Sequence, residues 1–151
     1  MSGRLLPPGT YGLDDLVVGD AIETAETIVS EALIDQFADM TGDRFGIHMD
    51  DEAARALGFP RRVAHGLLIL SLTDGLKNQA AAQFRAIASL HWDWSFRHPV
   101  LANDSIRARI EVRALRPTSD GTRGIIELAV TVHNQRGEAV QMGTNLLMVQ
   151  R

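Results

Sequence analysis

The chain has 151 residues, 45% of them hydrophobic, and a net charge of −4. That length allows one buried core, and the mildly acidic balance argues against nucleic acid or an anionic membrane as the main partner. There is no cysteine, which excludes disulfides, thiolate metal sites and cysteine nucleophiles.

Residues 1–19 carry the breakers Pro7, Pro8 and Gly9 and read as an irregular N-terminal arm before a single domain over 20–151. The arm lacks the apolar core of a signal peptide, and apolar runs such as Leu67–Leu70 are far too short to cross a bilayer. The default location is the cytoplasm. Asp20–Val29 reads as a first strand. Ser30 is a good N-cap, and Leu33, Ile34, Phe37 and Met40 recur at helical spacing over Glu31–Met40 until Gly42.

The segment Thr41–Asp50 reads TGDRFGIHMD and sets a carboxylate, Asp43, five residues before an imidazole, His48. Two such groups on one short turn can share a water and move protons both ways. Asp50 caps a short helix holding Ala53, Ala54, Ala56 and Leu57, which Gly58 and Pro60 stop. The segment Val63–Ser71 reads VAHGLLILS and opens a helix over Gly66–Gln79. Leu67, Leu68, Ile69, Leu70, Leu72 and Leu76 make that helix apolar nearly all round, so it is expected to be buried. A glycine N–H at its start can receive an oxyanion.

Beyond Phe84 the period changes to two. Ser89–Val100 alternates Trp92, Trp94 and Phe96 against His91, Asp93 and Ser95, and Ile106–Leu115 alternates Ile106, Ala108, Ile110 and Val112 against charged residues. Thr118–Gly121 is a turn. Ile125–Asn134 and Ala139–Val149 complete the set, joined by a hairpin at Gln135-Arg136-Gly137. The order implies an α+β fold: an antiparallel meander plus the first strand, about five strands, curled around the one long apolar helix. Helices laid flat on one sheet face are the alternative. His91, His98 and His133 lack metal-ligand spacing, so no metal site is expected.

The run FADMTGDRFGIHMDDEAARALGFPRRVAHGLLILSL, Phe37 to Leu72, resembles the hydratase signature of the MaoC-like proteins, which include the (R)-specific enoyl-CoA hydratases. The resemblance implies the hotdog fold and reversible hydration of a 2-enoyl thioester to a 3-hydroxyacyl thioester. It carries the catalytic pair onto Asp43 and His48, the oxyanion N–H onto Gly66, and an active-site serine onto Ser71. The family's G-D-x-N-P-x-H stands here as G-D-R-F-G-I-H, so Phe45 replaces Asn and Gly46 replaces Pro. Phe45 next to the pair favours a compact acyl group. His65 reads as a brace for the helix start. Arg61 and Arg62 are candidates for the phosphates of a CoA or carrier-protein arm.

The expected ligand is an acyl-CoA or acyl-carrier thioester, with no cofactor beyond the arm of the substrate itself. The expected assembly is a homodimer or higher homo-oligomer, with no nucleic acid and no membrane. Two other readings stand beside the hydratase: a hotdog thioesterase with Asp74 as its acid, and a non-catalytic subunit of a heteromeric dehydratase.

Overall fold

The structure is a computed structural model that describes residues 3–151; Met1 and Ser2 of the expected arm lie outside the described residues. A large antiparallel sheet curves over one long helix, α4 (Gly66–Gln79). The sheet's strands are β2 (Ala21–Glu23), β3 (Thr27–Ile28), β5 (Ala86–Phe96), β6 (Ser105–Pro117), β7 (Arg123–Asn134) and β8 (Ala139–Gln150). They lie in the order β2-β6-β7-β8-β5, with β3 also on β6, and the sheet does not close.

Two details of the sheet depart from the sequence reading. The first strand is split, because Thr24 leaves the regular ladder and its hydroxyl accepts the Ala108 N–H at 2.9 Å. The four later strands are not a plain meander either. β6, β7 and β8 are, but β5 pairs with β8 instead of β6. The chain therefore crosses the sheet between β5 and β6, and the crossing segment forms part of the site described below.

Period-two burial is clearest on β7, where Ile126, Leu128, Val130 and Val132 point inward and are all essentially buried. At one end of the concave face Val132, Val140, Ile106 and Ala108 pack with Leu68 and Ile69 of α4. At the other end Ile126, Leu128, Ile110 and Val112 pack with Ala80, just past α4, and with Ala82 and Phe84. Shortening fully buried Ile69 to Ala would cost about 2–5 kcal/mol. Bulges within β5 and β6 help bend the sheet.

The arm is less loose than its prolines suggest. Leu6, Leu13 and Leu16 are buried in that second cluster, and β1 (Gly9–Tyr11) pairs in parallel with β4 (Ala82–Phe84). α4 is less buried than its composition suggests: Leu67 is 60% exposed, and Ser71 is exposed too. Among the described residues no helix is long and apolar enough to cross a membrane.

Candidate active site

Three short helices precede α4 and carry the site: α1 (Glu31–Thr41), α2 (Gly46–Met49) and α3 (Asp51–Ala56). Local chemistry sets their ends. The Ser30 hydroxyl accepts the Leu33 N–H and caps α1, and Gly42, at φ +80°, ends it in the left-handed conformation. Asp43 follows, and its Oδ1 accepts the Phe45 N–H at 3.2 Å. This Asx-type turn aims the chain into α2. The Asp50 carboxylate then caps α3 through the Ala53 N–H.

Gly46 is the first residue of α2 and has no positive φ, so a glycine's freedom is not used there. The Gly-for-Pro exchange leaves the turn intact.

His48 is buried on α2. Its Nδ1 lies 2.6 Å from the Val63 carbonyl oxygen. A carbonyl only accepts, so Nδ1 carries the proton and Nε2 is left unengaged. The His48 carbonyl accepts from Arg62 Nε at 2.6 Å. The strip Arg62–Ala64 is itself held by the crossing segment: Val63 bridges to Leu101, and the Ala64 N–H donates to Val100.

His65 stacks on His48, with ring centroids 3.9 Å apart and planes at 26°. Its Nε2–H donates to the Asp43 carbonyl at 2.8 Å. One side-chain ligand atom each from Asp43, His48 and His65 lies within 4.8 Å of the other two. Burial pushes the His48 pKa below the usual histidine value; charge on His65 and Arg62 pushes the same way, while the Val63 hydrogen bond and Asp43 oppose it. The site therefore holds His48 neutral near pH 7, with a free Nε2 lone pair beside an exposed carboxylate.

A cavity of about 480 Å³ opens over this group. Asp43, His48, His65 and Gly66 line it, together with Leu67, Phe96, Arg97, His98 and Pro99. Gly66 begins α4, and its N–H has no partner among the described residues. Its carbonyl accepts from Gln141 Nε2 at 3.1 Å, while Gln141 Oε1 accepts the Trp94 indole N–H at 2.8 Å. The helix start is thereby tied to β5 and β8. A Cβ on Gly66 would come within 2.6 Å of the Phe96 ring, so this residue must be small while that ring covers it.

Asp43, His48 and Gly66 are thus brought together at the cavity, and five other residues singled out in the sequence do not line it. Ser71 points to solvent, bonds back to Leu67, and lines no part of this cavity. Phe45 is 61% exposed and meets the His48 ring edge-on at 6.2 Å. Arg61 and Arg62 do not line this cavity, and the fold engages part of each guanidinium. Arg61 bonds the Ala102 carbonyl and the buried Asp104, and Arg62 bonds His48 and Asp35. Asp74 pairs with Lys77 at 2.8 Å and does not line the cavity, which counts against a thioesterase reading built on it.

Phe59, Phe96, Arg97, His98 and Gln141 were not visible as site residues in the sequence. Only the Trp92-Trp94-Phe96 alternation running into Pro99 hinted that one strand face ends at something. Nothing marks Gln141.

A family model described as MaoC like domain matches residues 16–134. The chain belongs to the MaoC-like domain family. It is 30% identical over 143 residues to the mitochondrial 3-hydroxyacyl-[acyl-carrier-protein] dehydratase of Arabidopsis thaliana, covering 90% of this chain and 82% of that protein. It is 36% identical over 80 residues to the (R)-specific enoyl-CoA hydratase of Aeromonas caviae, covering 53% of this chain and 59% of the relative. The crystal structure of the MaoC-like dehydratase from Rhodospirillum rubrum superposes with a TM-score of 0.81 at 30% identity, over 93% of this chain and 97% of that one. The curved sheet over α4 is accordingly the hotdog fold, and the MaoC-like chain is a hydro-lyase of its family's type.

Proposed function

We propose that this protein catalyses reversible hydration of a 2-enoyl thioester, with His48 as the proton-transfer group and Asp43 as the group that orients the water. The observation that carries this is the fixed tautomer of His48. With Nδ1–H donated to Val63, the neutral ring can only accept at Nε2.

In hydration, a water held between Asp43 and His48 gives one proton to Nε2 while its other hydrogen bonds the Asp43 carboxylate. The oxygen adds to C3 of the enoyl group. The C2=C3 electron pair moves toward the thioester carbonyl, whose oxygen becomes negative. The free N–H of Gly66, at the start of a 14-residue helix, stabilises that oxygen. The proton on His48 Nε2 then passes to C2, and the carbonyl re-forms. Dehydration runs the same steps backward. This assigns first proton acceptance to His48.

The substrate's acyl part would sit among Ile47, Phe59, Val63 and Phe96, which suits a short or compact chain. Arg97 has no side-chain partner among the described residues, and with His98 it stands where Arg61 and Arg62 were expected, facing the anionic arm of the thioester. A homodimer would cover the remaining apolar surface. β5 is an edge strand of 11 residues whose Ile87, Leu90 and Phe96 are exposed, and such an edge needs cover. A monomeric mass by light scattering at micromolar concentration would refute the dimer.

The decisive assay mixes the protein with crotonyl-CoA and a panel of branched and dicarboxylic enoyl-CoAs. Loss of the enoyl-thioester absorbance without release of free thiol supports the hydratase. Thiol release alone would establish a thioesterase instead, and no change in either would leave the non-catalytic subunit.

A further inference from the structure

We propose that His65 is a positioning residue that joins the two halves of the site, seating the His48 ring by stacking while its Nε2–H holds the Asp43 loop. This rests on the reading that Asp43 and His48 do the chemistry.

His65 is 2% exposed and touches every part of that machinery. One face of its ring stacks on His48 at 3.9 Å. The ring also meets Phe37, with centroids 5.0 Å apart and planes tilted by 59°. The ring therefore contacts both α1 and α2. Its Nε2–H reaches the Asp43 carbonyl, 22 residues back in the chain, at 2.8 Å. Gly66, the oxyanion donor, is the next residue. Moving His65 moves three functional groups together.

A plain core role would not select this residue. Its Nδ1 is buried with no hydrogen-bond partner. An unsatisfied buried polar atom is destabilising, so an apolar ring of similar size would serve packing better. What phenylalanine lacks is the N–H that holds the Asp43 loop.

The stacked pair also restricts charge. Each ring turns one N–H to a carbonyl, which leaves His48 Nε2 and His65 Nδ1 without a protein partner. Two imidazolium rings at this separation repel, so a proton on one opposes a proton on the other. The other groups acting on His48 are Asp43 on its own loop and Arg62, which is paired with Asp35 and lies 4.0 Å from Glu31. Asp51 accepts the Arg62 backbone N–H, and Arg97 and His98 line the same cavity as His48. Removing His65 takes away one repulsive neighbour, so the His48 pKa should rise.

The first test needs no activity. Long-range nitrogen–proton NMR of the wild-type protein should show the Nδ1–H tautomer for His48 and the Nε2–H tautomer for His65. The opposite tautomer at His65 would overturn the proposal even if the protein proves to be a hydratase. In the second test, His65→Phe keeps the stack and loses the donor, whereas His65→Gln restores a donor and loses the stack.

Both variants should lower kcat about tenfold or more, with KM changed less than about threefold. Both should move the His48 titration, read by NMR, to higher pH. Full wild-type kcat in both variants, or an unmoved His48 titration, would show that His65 only packs. A failed hydratase assay with the expected tautomers and shifted titration would remove the function and leave the coupling in place.

Discussion

The two walls of the cavity are built on opposite principles. On the wall formed by residues 43–66, His48 and His65 are buried, and hydrogen bonds to the Val63 and Asp43 carbonyls and from Arg62 fix their positions. On the wall formed by the other lining residues Leu67 and Phe96 are 60% and 58% exposed, and Arg97 has no side-chain partner among the described residues. A group that must pass a proton has to be held to a fraction of an ångström, which needs packing and hydrogen bonds. A wall that receives a flexible ligand can be left open until the ligand or a second subunit covers it. Substitutions on the first wall should therefore change kcat, and those on the second should change KM.

The largest effects belong to the chemistry itself. Asp43→Asn and His48→Ala should each lower kcat by about 10²- to 10⁴-fold, with circular dichroism unchanged. Wild-type turnover in both variants would mean that the ordered wall does something other than catalysis. Next comes Arg62, whose guanidinium ties His48 to Asp35. Arg62→Leu leaves the His48 carbonyl without that donor and should cost about 3 kcal/mol, roughly 6–12 °C in melting temperature, along with much of kcat. A loss of CoA affinity with an unchanged melting temperature would instead restore Arg62 as a phosphate ligand.

The pH profile tests the same wall without mutation. The His48 pKa lies below its unfolded value of about 6.5, so the unfolded state binds the extra proton first as pH falls. The contribution of His48 to stability is complete above pH 6.5 and is lost as pH drops through its folded pKa. kcat should follow, level near neutrality and falling only below pH 6.5, because Nε2 must be unprotonated to accept from water. An acid limb centred above 6.5 would contradict the burial argument. Arg97→Ala probes the second wall. Its exposed charge should matter only about two- to fivefold in KM, less at high salt, with kcat unchanged.

Much of this division was legible in the sequence, and the part that was not has a common cause. Ser30, Gly42 and Asp50 announce helix ends through chemistry within three or four residues, and the period-two runs announce β6, β7 and β8. Asp43, His48 and Gly66 were legible because they lie on two short motifs. What could not be read depends on contacts between distant segments. Arg61 pairs with Asp104 across 43 positions and Arg62 with Asp35 across 27, so their spacing looked the same as that of free arginines. The placement of β5 beside β8 follows from how the crossing segment folds onto Arg62–Ala64, and three-residue strands such as β1 and β4 are too short to show a period. The exposure of Leu67 depends on what lies opposite the helix, which no helical periodicity records.

The smallest expected effect concerns the altered turn and asks how rigid the ordered wall already is. Gly46 sits at the first position of α2, where proline's missing N–H and fixed φ are both acceptable. Phe45 before it has φ −58° and ψ 138°, within the extended region that a following proline requires. The one crowding contact is the Ala53 methyl, 3.3 Å from a Cβ placed on Gly46, and it has to yield by a few tenths of an ångström. Gly46→Pro should then stabilise the protein by about 0.4–1 kcal/mol, mainly by restricting the unfolded chain, and leave kcat within about twofold. If stability rises but kcat falls severalfold, the turn needs glycine's mobility during turnover, and the first wall is less fixed than its hydrogen bonds imply. If stability falls, Ala53 cannot yield, and the packing of α2 on α3 accounts for glycine at this position.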